Sequence, residues 1–520
     1  MAFGLQLSLA AHSPTRVQVP TPAFPPDQFF AMTHEREHQG TPLYDRVDSP
    51  PAKSDSVVLV QDGLLLQDTV DGGASRRGCS VAMLVLLSLP RMATNMAWAA
   101  QWAALGPYLG TMLPPYAVQL TQVIGPLSGI LVAPTIGVLS DRSTNRWGRR
   151  RPYLLYGAIT SAICWTMMGY TRKLGELLGD KDDESRLWTS LLTIFFYTWM
   201  DVTVNVVQTP AILIIADFAG DRQTLGAGIG QASSTLGSIM IAGYIYCFGA
   251  AHLTLRWFLG MLSVTMVTTV GAVCLFAKEI PRAKDPQDDL VTTYRRIVHA
   301  FGTIIHGLRT LPSVLVVYCV VFFTVQYGFT AYNGSKGQFF GVEVFHGDAN
   351  NADTCKLHCS HEQQQYNKGV QLAGGLADMV FNIVGYVYSW VLPFLVCRLG
   401  ARWTMTLGGI PQTLLMAMAF SKSVPLNVVI VALTSITQAT SFALIVPLLI
   451  HVFGDGAEVG MHVGAVNSAN CLGQLLNFVA SAALVETALG YALPVFVGGA
   501  ISFLGVIISL FFFRVKMYSM

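Results

Sequence analysis

Beyond residue 79 the chain alternates long apolar runs with short polar breaks, and the runs have membrane length. A helix needs about 20 mostly apolar residues to cross the hydrocarbon core. On that measure the pattern predicts spans at 80–105, 117–139, 152–170, 188–213, 224–249 and 254–277, then at 312–333, 370–397, 402–420, 425–451, 461–485 and 491–514. This makes about twelve helices, in an N-terminal half, 80–277, and a C-terminal half, 312–514. A charged linker, 278–311, separates the halves, and 515–520 form a short end. Residues 1–79 are rich in Pro, Ser and Asp and lack an apolar run of the needed length. They read as a disordered tail without a cleavable signal peptide.

Composition agrees with the pattern. Of 520 residues 52% are hydrophobic and 12% charged, with mean hydropathy +0.49, whereas soluble domains run near a quarter charged. The net charge of +2 says less than its distribution. Gly137 to Pro152 holds five arginines and one aspartate between two apolar runs, too dense a charge to lie in hydrocarbon. Arg282, Lys284, Arg295, Arg296 and Arg309 in the linker fall on the same side once the spans are counted, as do Arg398 to Arg402 and Arg514 to Lys516. Basic loops stay in the cytoplasm, so both termini and these loops are expected there. The loops Arg172–Arg186 and Gly341–Lys368 then face outward or into a lumen. The expected setting is the plasma membrane, with a vacuolar or other endomembrane as the alternative. The expected surroundings are a lipid bilayer around a monomer, with no nucleic-acid partner.

Nine cysteines suggest no framework. Cys164, Cys247, Cys274, Cys319 and Cys471 lie in apolar runs as small packing residues. Cys355 and Cys359 share a polar loop with His358 and His361, which reads as a disulfide or two free thiols before a zinc site.

Polar residues inside the spans carry the candidate chemistry, because charge in a membrane is costly and usually functional. Asp201 lies well inside the fourth span, and Asn205 and Gln208 continue its stripe at helical spacing. Burial disfavours the ionised form of such a carboxyl, which can then carry a proton or bind hydroxyls; the plain alternative is a carboxyl held by a neighbouring helix. Arg91, in the first span, is placed either to pair with Asp201 or bind an anion, or to snorkel to an interface. Trp98 and Gln101 follow, an aromatic face and an amide suited to a sugar ring or simply to packing. Asn467, Asn470, Gln474 and Asn477 line one side of the eleventh span, and Asp378, Asn382 and Tyr386 one side of the eighth. Each set reads as cavity lining or as interhelical hydrogen bonding. Asp378 is either a second proton site or a solvated residue near a helix end. The glycines of the fifth span, such as Gly226 and Gly230, suit close helix approach.

Two similar six-helix halves are the architecture of the major facilitator superfamily, with the substrate site between them near the bilayer midplane. Gly137, Asp141, Arg142, Gly148, Arg149, Arg150 and Arg151 resemble the loop motif between its second and third helices. Extra residues between Asp141-Arg142 and Gly148 to Pro152 make the loop similar to that of the sucrose:proton symporters of plants and their animal relatives. These belong to the glycoside–pentoside–hexuronide cation symporter group. Trp98-Ala99-Ala100-Gln101 with Pro107-Tyr108, Gly125-Pro126 with Gly129, and Asp201, Asn205, Gln208 and Pro210 resemble the first, second and fourth helices of that group. Tyr366 to Val370 resembles the start of helix eight in the animal members. The resemblance covers roughly 80–514 and implies an all-α major facilitator fold. It also implies that Asp201 is the protonation site and an acceptor of sugar hydroxyls. The arginine loop itself reads either as a loop that only sets topology or, through Asp141 at a helix end beside the arginines, as a charge network that locks one face shut until the halves rock.

Two departures accompany the resemblance. Ile212 stands where plant members carry an arginine, and Phe329 to Gly334 lacks the acids of their helix seven. Arg91 is a candidate substitute for the missing arginine. The expected function is proton-coupled symport of a sugar, sucrose or a related disaccharide, with no cofactor beyond the proton and no bound metal. The alternatives are a monosaccharide, polyol, glycoside or non-sugar cargo on the same fold, and a sensor that binds solute without moving it. No nucleophile–base pair, phosphate loop or metal cluster suggests an enzyme.

Overall fold

The computed structural model describes residues 78–141, 143–181, 186–279, 293–355, 358–453 and 459–518. Nearly all of the expected tail, part of the linker and Arg142 lie outside these residues. Eight runs are long and apolar enough to cross a membrane. They include α1 (Val81–Leu109), α2 (Pro115–Asp141), α4 (Leu187–Ala219), α6 (Ala251–Phe276), α7 (Ser313–Asn333), α10 (Val424–Phe453) and α12 (Ala492–Phe512). The remaining run, His361–Met418, is two helices, α8 and α9, that meet at Gly400. Gly400 takes φ +78 there, a left-handed conformation natural to glycine. Three more polar helices, α3 (Arg151–Met168), α5 (Gln223–Phe248) and α11 (Val459–Leu484), complete a set of twelve among the described residues. Helices dominate because lipid offers backbone amides no partner but the chain itself.

The spans fall where the apolar pattern put them, and their ends differ for local reasons. Helix α1 runs on to Leu109 because its last turns, Gln101–Leu105, widen into a π-helix that carries the chain past Pro107. Helix α8 begins at His361 rather than 370, in the polar run His361–Gln371. Ser360 and Gln363 cap it reciprocally, side chain to backbone, which satisfies two amide donors at its start. Past α7 the chain stays helical through Phe339–Val344, another π segment, so only part of the expected Gly341–Lys368 loop is irregular. Cys355 and Cys359 form a disulfide within it. The Arg172–Arg186 loop likewise contains a short helix, Thr171–Leu178.

Each half has its own apolar core. One comprises residues from Leu84 to Ala277, with Trp165, Tyr197 and Phe258 fully buried. The other half is filled by clusters around Tyr318, Phe322 and Phe513 and around Tyr332, Phe339 and Phe340. Helix α1 packs on α4, α5 and α6, and α7 packs on α11 and α12. The halves meet along two seams, α2 with α11 and α5 with α8. Apolar side chains such as Phe248, Trp257 and Leu275 point outward, as helices facing lipid require.

Close packing in the C-terminal half depends on Gly328. A Cβ there would lie 2.0 Å from Ser502 Oγ and 2.4 Å from the Gly498 carbonyl oxygen. The carbonyl belongs to a helix backbone and cannot step aside cheaply. Gly328→Ala is therefore expected to lower stability by about 1–3 kcal/mol, read as a lower melting midpoint of the purified protein; an unchanged midpoint would show that α7 and α12 can part.

Buried amides hold the same half together. Gln326 Nε2 donates to Gln438 Oε1 at 3.0 Å, and Gln438 Nε2 donates to Gln412 Oε1 at 2.9 Å. Gln412 Nε2 then donates to the Val325 carbonyl at 2.7 Å and to Ser502 Oγ at 2.8 Å. The chain of bonds links α7, α9, α10 and α12.

Candidate functional site

Asp201 lies near the middle of α4 and is fully buried. Neither carboxylate oxygen has a hydrogen-bond partner among the described residues. A Cβ added at Gly125 would lie 3.5 Å from Gln101 Nε2 and 3.7 and 3.8 Å from the two Asp201 oxygens. Carboxyl and amide thus converge over Gly125 of α2, both within van der Waals contact of where a side chain there would begin. Gln101 Nε2 donates to the Tyr197 hydroxyl at 2.7 Å, and Gln101 Oε1 has no partner among the described residues. An unsatisfied carboxylate and an unsatisfied amide oxygen side by side at mid-membrane can accept hydroxyl donors, and left dry they are costly.

The rest of the α4 stripe is occupied. Asn205 Nδ2 donates to Ser128 Oγ and to the Asp201 carbonyl oxygen, both at 2.9 Å. Gln208 accepts from Trp98 Nε1. This bond fixes the indole across α1 and α4, one helical turn from Gln101. Exposure rises along the stripe from Asp201 (0%) through Asn205 (4%) to Ile212 (42%), that is, toward the arginine-loop face.

Arg91 is not part of this group. No ion pair joins it to Asp201; its Nη2 donates to Gln231 of α5 at 3.4 Å, and its guanidinium packs over Gly230 beside Ile215. It lies ten residues before Gln101 on α1, about 15 Å along the axis. The pairing weighed from sequence fails for that reason. Arg91 instead sits at the level of Ile215, one turn from Ile212.

Helix α11 faces the site across the seam. Asn470 Nδ2 donates to Asn467 Oδ1 at 3.2 Å and Gln474 Nε2 to Asn470 Oδ1 at 2.8 Å, while Cys471 meets α2 at Gly129. Gly129 is one turn from Gly125, so the amide row of one half and the carboxyl of the other flank the same stretch of α2. Asn477 is buried further along. Phe478 stacks on Trp102 with ring centroids 5.6 Å apart and planes 9° apart, joining the halves immediately beside Gln101.

Asp378 is neither solvated nor isolated. Lys336 Nζ lies 2.5 Å from Asp378 Oδ2 and 3.0 Å from Asn333 Oδ1, and both members of the ion pair are largely buried. Asn382 Nδ2 donates to the Asp378 carbonyl at 2.7 Å, whereas Tyr386 is half-exposed. Sequence reading missed Lys336 because it sits just past the end of an apolar run, where a lysine looks solvated. Asn333 and Ser335 also match a glycosylation sequon, but Ser335 is buried and Asn333 is engaged by Lys336.

At the end of the bundle that carries the arginine loop, Arg150 is buried. It pairs with Asp141, with Asp217 at 3.1 Å and with Ser140 Oγ at 2.6 Å. Arg149 reaches Asp217 at 2.6 Å. The Arg150 and Arg151 amides donate to the Glu279 carboxylate, at 2.9 and 3.0 Å to Oε2, and Arg151 also bonds the Cys274 carbonyl. Gly148 takes φ +108 against Glu279, where a Cβ would clash. This network ties α2, α3, α4 and α6 of one half together. Asp217 and Glu279, its anionic partners, were not singled out from the sequence.

Several side-chain hydrogen bonds between the halves lie on the opposite face. Gln338 Nε2 donates to the Gly106 carbonyl at 2.8 Å, the Tyr366 hydroxyl to the Pro107 carbonyl at 3.0 Å, and Gln371 Nε2 to the Tyr246 carbonyl at 3.0 Å. Glu486 accepts from the Tyr116 amide at 3.1 Å. The bundle is bolted on the face away from the arginine loop.

Two six-helix halves with a polar site between them define a membrane transporter of the major facilitator type. The family model described as MFS/sugar transport protein matches residues 67–352, and the chain belongs to that family. It is 26% identical over 363 residues to the sucrose transport protein SUT1 of Oryza sativa subsp. japonica, covering 62% of this chain and 63% of the relative. It is 26% identical over 272 residues to the sucrose transport protein SUC3 of Arabidopsis thaliana, covering 48% and 43%. The match thus spans less than two thirds of either relative's length. Among solved structures, a D-xylose–proton symporter superposes with TM-score 0.54 at 12% identity, covering 83% of this chain and 98% of that one. The nucleoside transporter NupG gives 0.53 at 13%, covering 84% and 100%. At such identities the likeness is one of fold.

Proposed function

We infer that this chain is a proton-coupled symporter of a sugar, sucrose or a related disaccharide, working by alternating access. The observation that carries the reading is the Asp201 carboxyl: buried, with the Gln101 amide as its neighbouring donor and no hydrogen bond of ordinary geometry among the described residues. An ionised carboxylate is expensive at that depth unless compensated. A proton compensates it directly, and a sugar hydroxyl donating to it adds to the effect. The two ligands therefore share one side chain, which is the physical basis for coupling. Trp98, held by Gln208, offers an aromatic face on the arginine-loop side of Asp201, and the α11 amides offer acceptors and donors from the other half. The sucrose transport proteins among its relatives support the cargo class.

In the cycle, proton and sugar reach the site while the face away from the arginine loop is open. The loaded, neutral site permits the halves to rock, and both solutes leave on the arginine-loop side. Basic loops place that side in the cytoplasm, and import across the plasma membrane by a monomer is the simplest arrangement. The arginine network moves as one body with the N-terminal half and fixes the geometry of its four helices. Expression in a transport-null yeast tests the reading. Uptake of radiolabelled sucrose is expected to rise with external acidity and collapse with a protonophore. Surface-expressed protein with no uptake of sucrose or other disaccharides would overturn the cargo, and uptake indifferent to the protonophore would overturn the coupling.

A further inference from the structure

The segment between α7 and α8 belongs to the C-terminal half by sequence, yet its tip is embedded in the N-terminal half. The Asn351 amide donates to the Thr111 carbonyl at 3.1 Å, just past the end of α1. Arg186, at the start of α4, donates through Nη1 to Asn351 Oδ1 at 3.1 Å and to Asp353 Oδ1 at 3.0 Å, and through Nη2 to Asp353 Oδ2 at 2.7 Å. The two side chains of this bidentate pair are only 10% and 6% exposed, so water screens it poorly and both partners are held in a fixed fork. Between them Ala352 is fully buried in an apolar cluster with Ala250, Tyr366 and Val370. Asn367 Nδ2 donates to the Ala352 carbonyl at 3.2 Å, and its Oδ1 is 2.6 Å from His252 Nε2 at the start of α6. Asn351 holds φ +53, a left-handed turn that asparagine tolerates better than most residues. The Cys355–Cys359 disulfide follows directly.

The tip is therefore bonded to the ends of α1 and α4, and Asn367 of α8 bonds both the tip and the start of α6. The halves cannot separate on this face while those bonds stand. The same stretch of α1 continues through Pro107 and Gly106, which accept from the other half, to the π turn and Gln101.

We propose that Asn351–Asp353 is a latch, and that Arg186 must release Asp353 each time the binding site opens to the face away from the arginine loop. The proposal rests on the transport reading, but its test does not depend on cargo or coupling ion. The full chain carries Cys247→Ser and Cys397→Ser, which remove the exposed free thiols, and Asn470→Cys on α11 as the reporter. Intact cells are treated with a membrane-impermeant thiol reagent. Arg186→Asp and Asp353→Arg are each expected to raise the labelling rate about tenfold by shifting the population toward the open state, and the double swap to return it to the parent value. Asp353→Asn, a milder change for use where the reversals fail to reach the surface, is expected to raise it about threefold. Unchanged labelling in surface-expressed single variants, or a double swap as reactive as either single, would overturn the latch. Conversely, Arg186→Cys with Asp353→Cys joined by a bismaleimide is expected to abolish labelling at position 470, and labelling that survives complete cross-linking would overturn it. A chain that moves no sugar yet shows these labelling changes would count against the cargo and leave the latch standing.

Discussion

Asp201→Asn is expected to abolish concentrative uptake while leaving the protein at the surface and able to exchange cargo down a gradient. The substitution keeps the size of the side chain and its place beside Gln101 and Gly125, but removes the proton. A carboxylate left ionised at mid-membrane costs about 3 kcal/mol on insertion scales, enough to slow reorientation of an unprotonated site about a hundredfold. In the wild type that penalty couples the two solutes, because the sugar-loaded site crosses readily only with its proton aboard, while the carrier that has released both must return deprotonated and does so slowly. The asparagine variant has no such penalty, so cargo leaks both ways and the accumulation ratio falls to one. Counterflow of labelled sugar measures the exchange that survives, and uptake under an imposed gradient measures the loss. Accumulation equal to wild type would remove Asp201 from the coupling step.

Arg150→Ala is expected to cost about 3 kcal/mol of stability. The arginine is 3% exposed, and its removal leaves Asp217, at 21% exposure, with Arg149 as its remaining partner and Ser140 without its donor. Asp141 is half-exposed and water takes over part of its charge, which places the loss at the lower end of what breaking a buried pair costs. Arg150→Lys should recover little, since Nε, Nη1 and Nη2 each serve a different partner and an ammonium cannot span the three directions. The checks are the melting midpoint of the purified protein and its surface level. A midpoint that does not move would show that the network is a surface ornament of the loop rather than the brace between α2, α3, α4 and α6.

The spans and the arginine loop could be read from the chain because each is a local signal: an apolar run of membrane length, and a charge density that hydrocarbon excludes. The Asp201, Asn205 and Gln208 stripe was legible for a similar reason, since helical spacing puts its members on one face. What stayed hidden depends on residues far apart in sequence. Asp217 looks like an ordinary acid near a helix end until Arg150, 67 positions away, is seen beside it. Gln326, Gln412 and Gln438 stand singly in three helices, so no periodicity announces the network they form. Arg186 and Asp353 lie in two loops that look merely solvated, and their 167-residue separation hides the pair. The early start of α8 did leave a signal, the capping pattern of Ser360 and Gln363, outweighed by the polarity of the turns that follow. Arg91 shows the opposite error: a charge in a span suggests the nearest opposite charge, but helix rotation and depth turned it to Gln231.

Purified protein in liposomes, given an imposed pH gradient and no other ion gradient, tests the central claim most directly. With the acid side at the face opposite the arginine loop, radiolabelled sucrose should accumulate against its gradient in the wild type and only equilibrate in Asp201→Asn. Sucrose that equilibrates at the same rate and to the same level with and without the pH gradient, in both proteins, would contradict proton-coupled symport through Asp201.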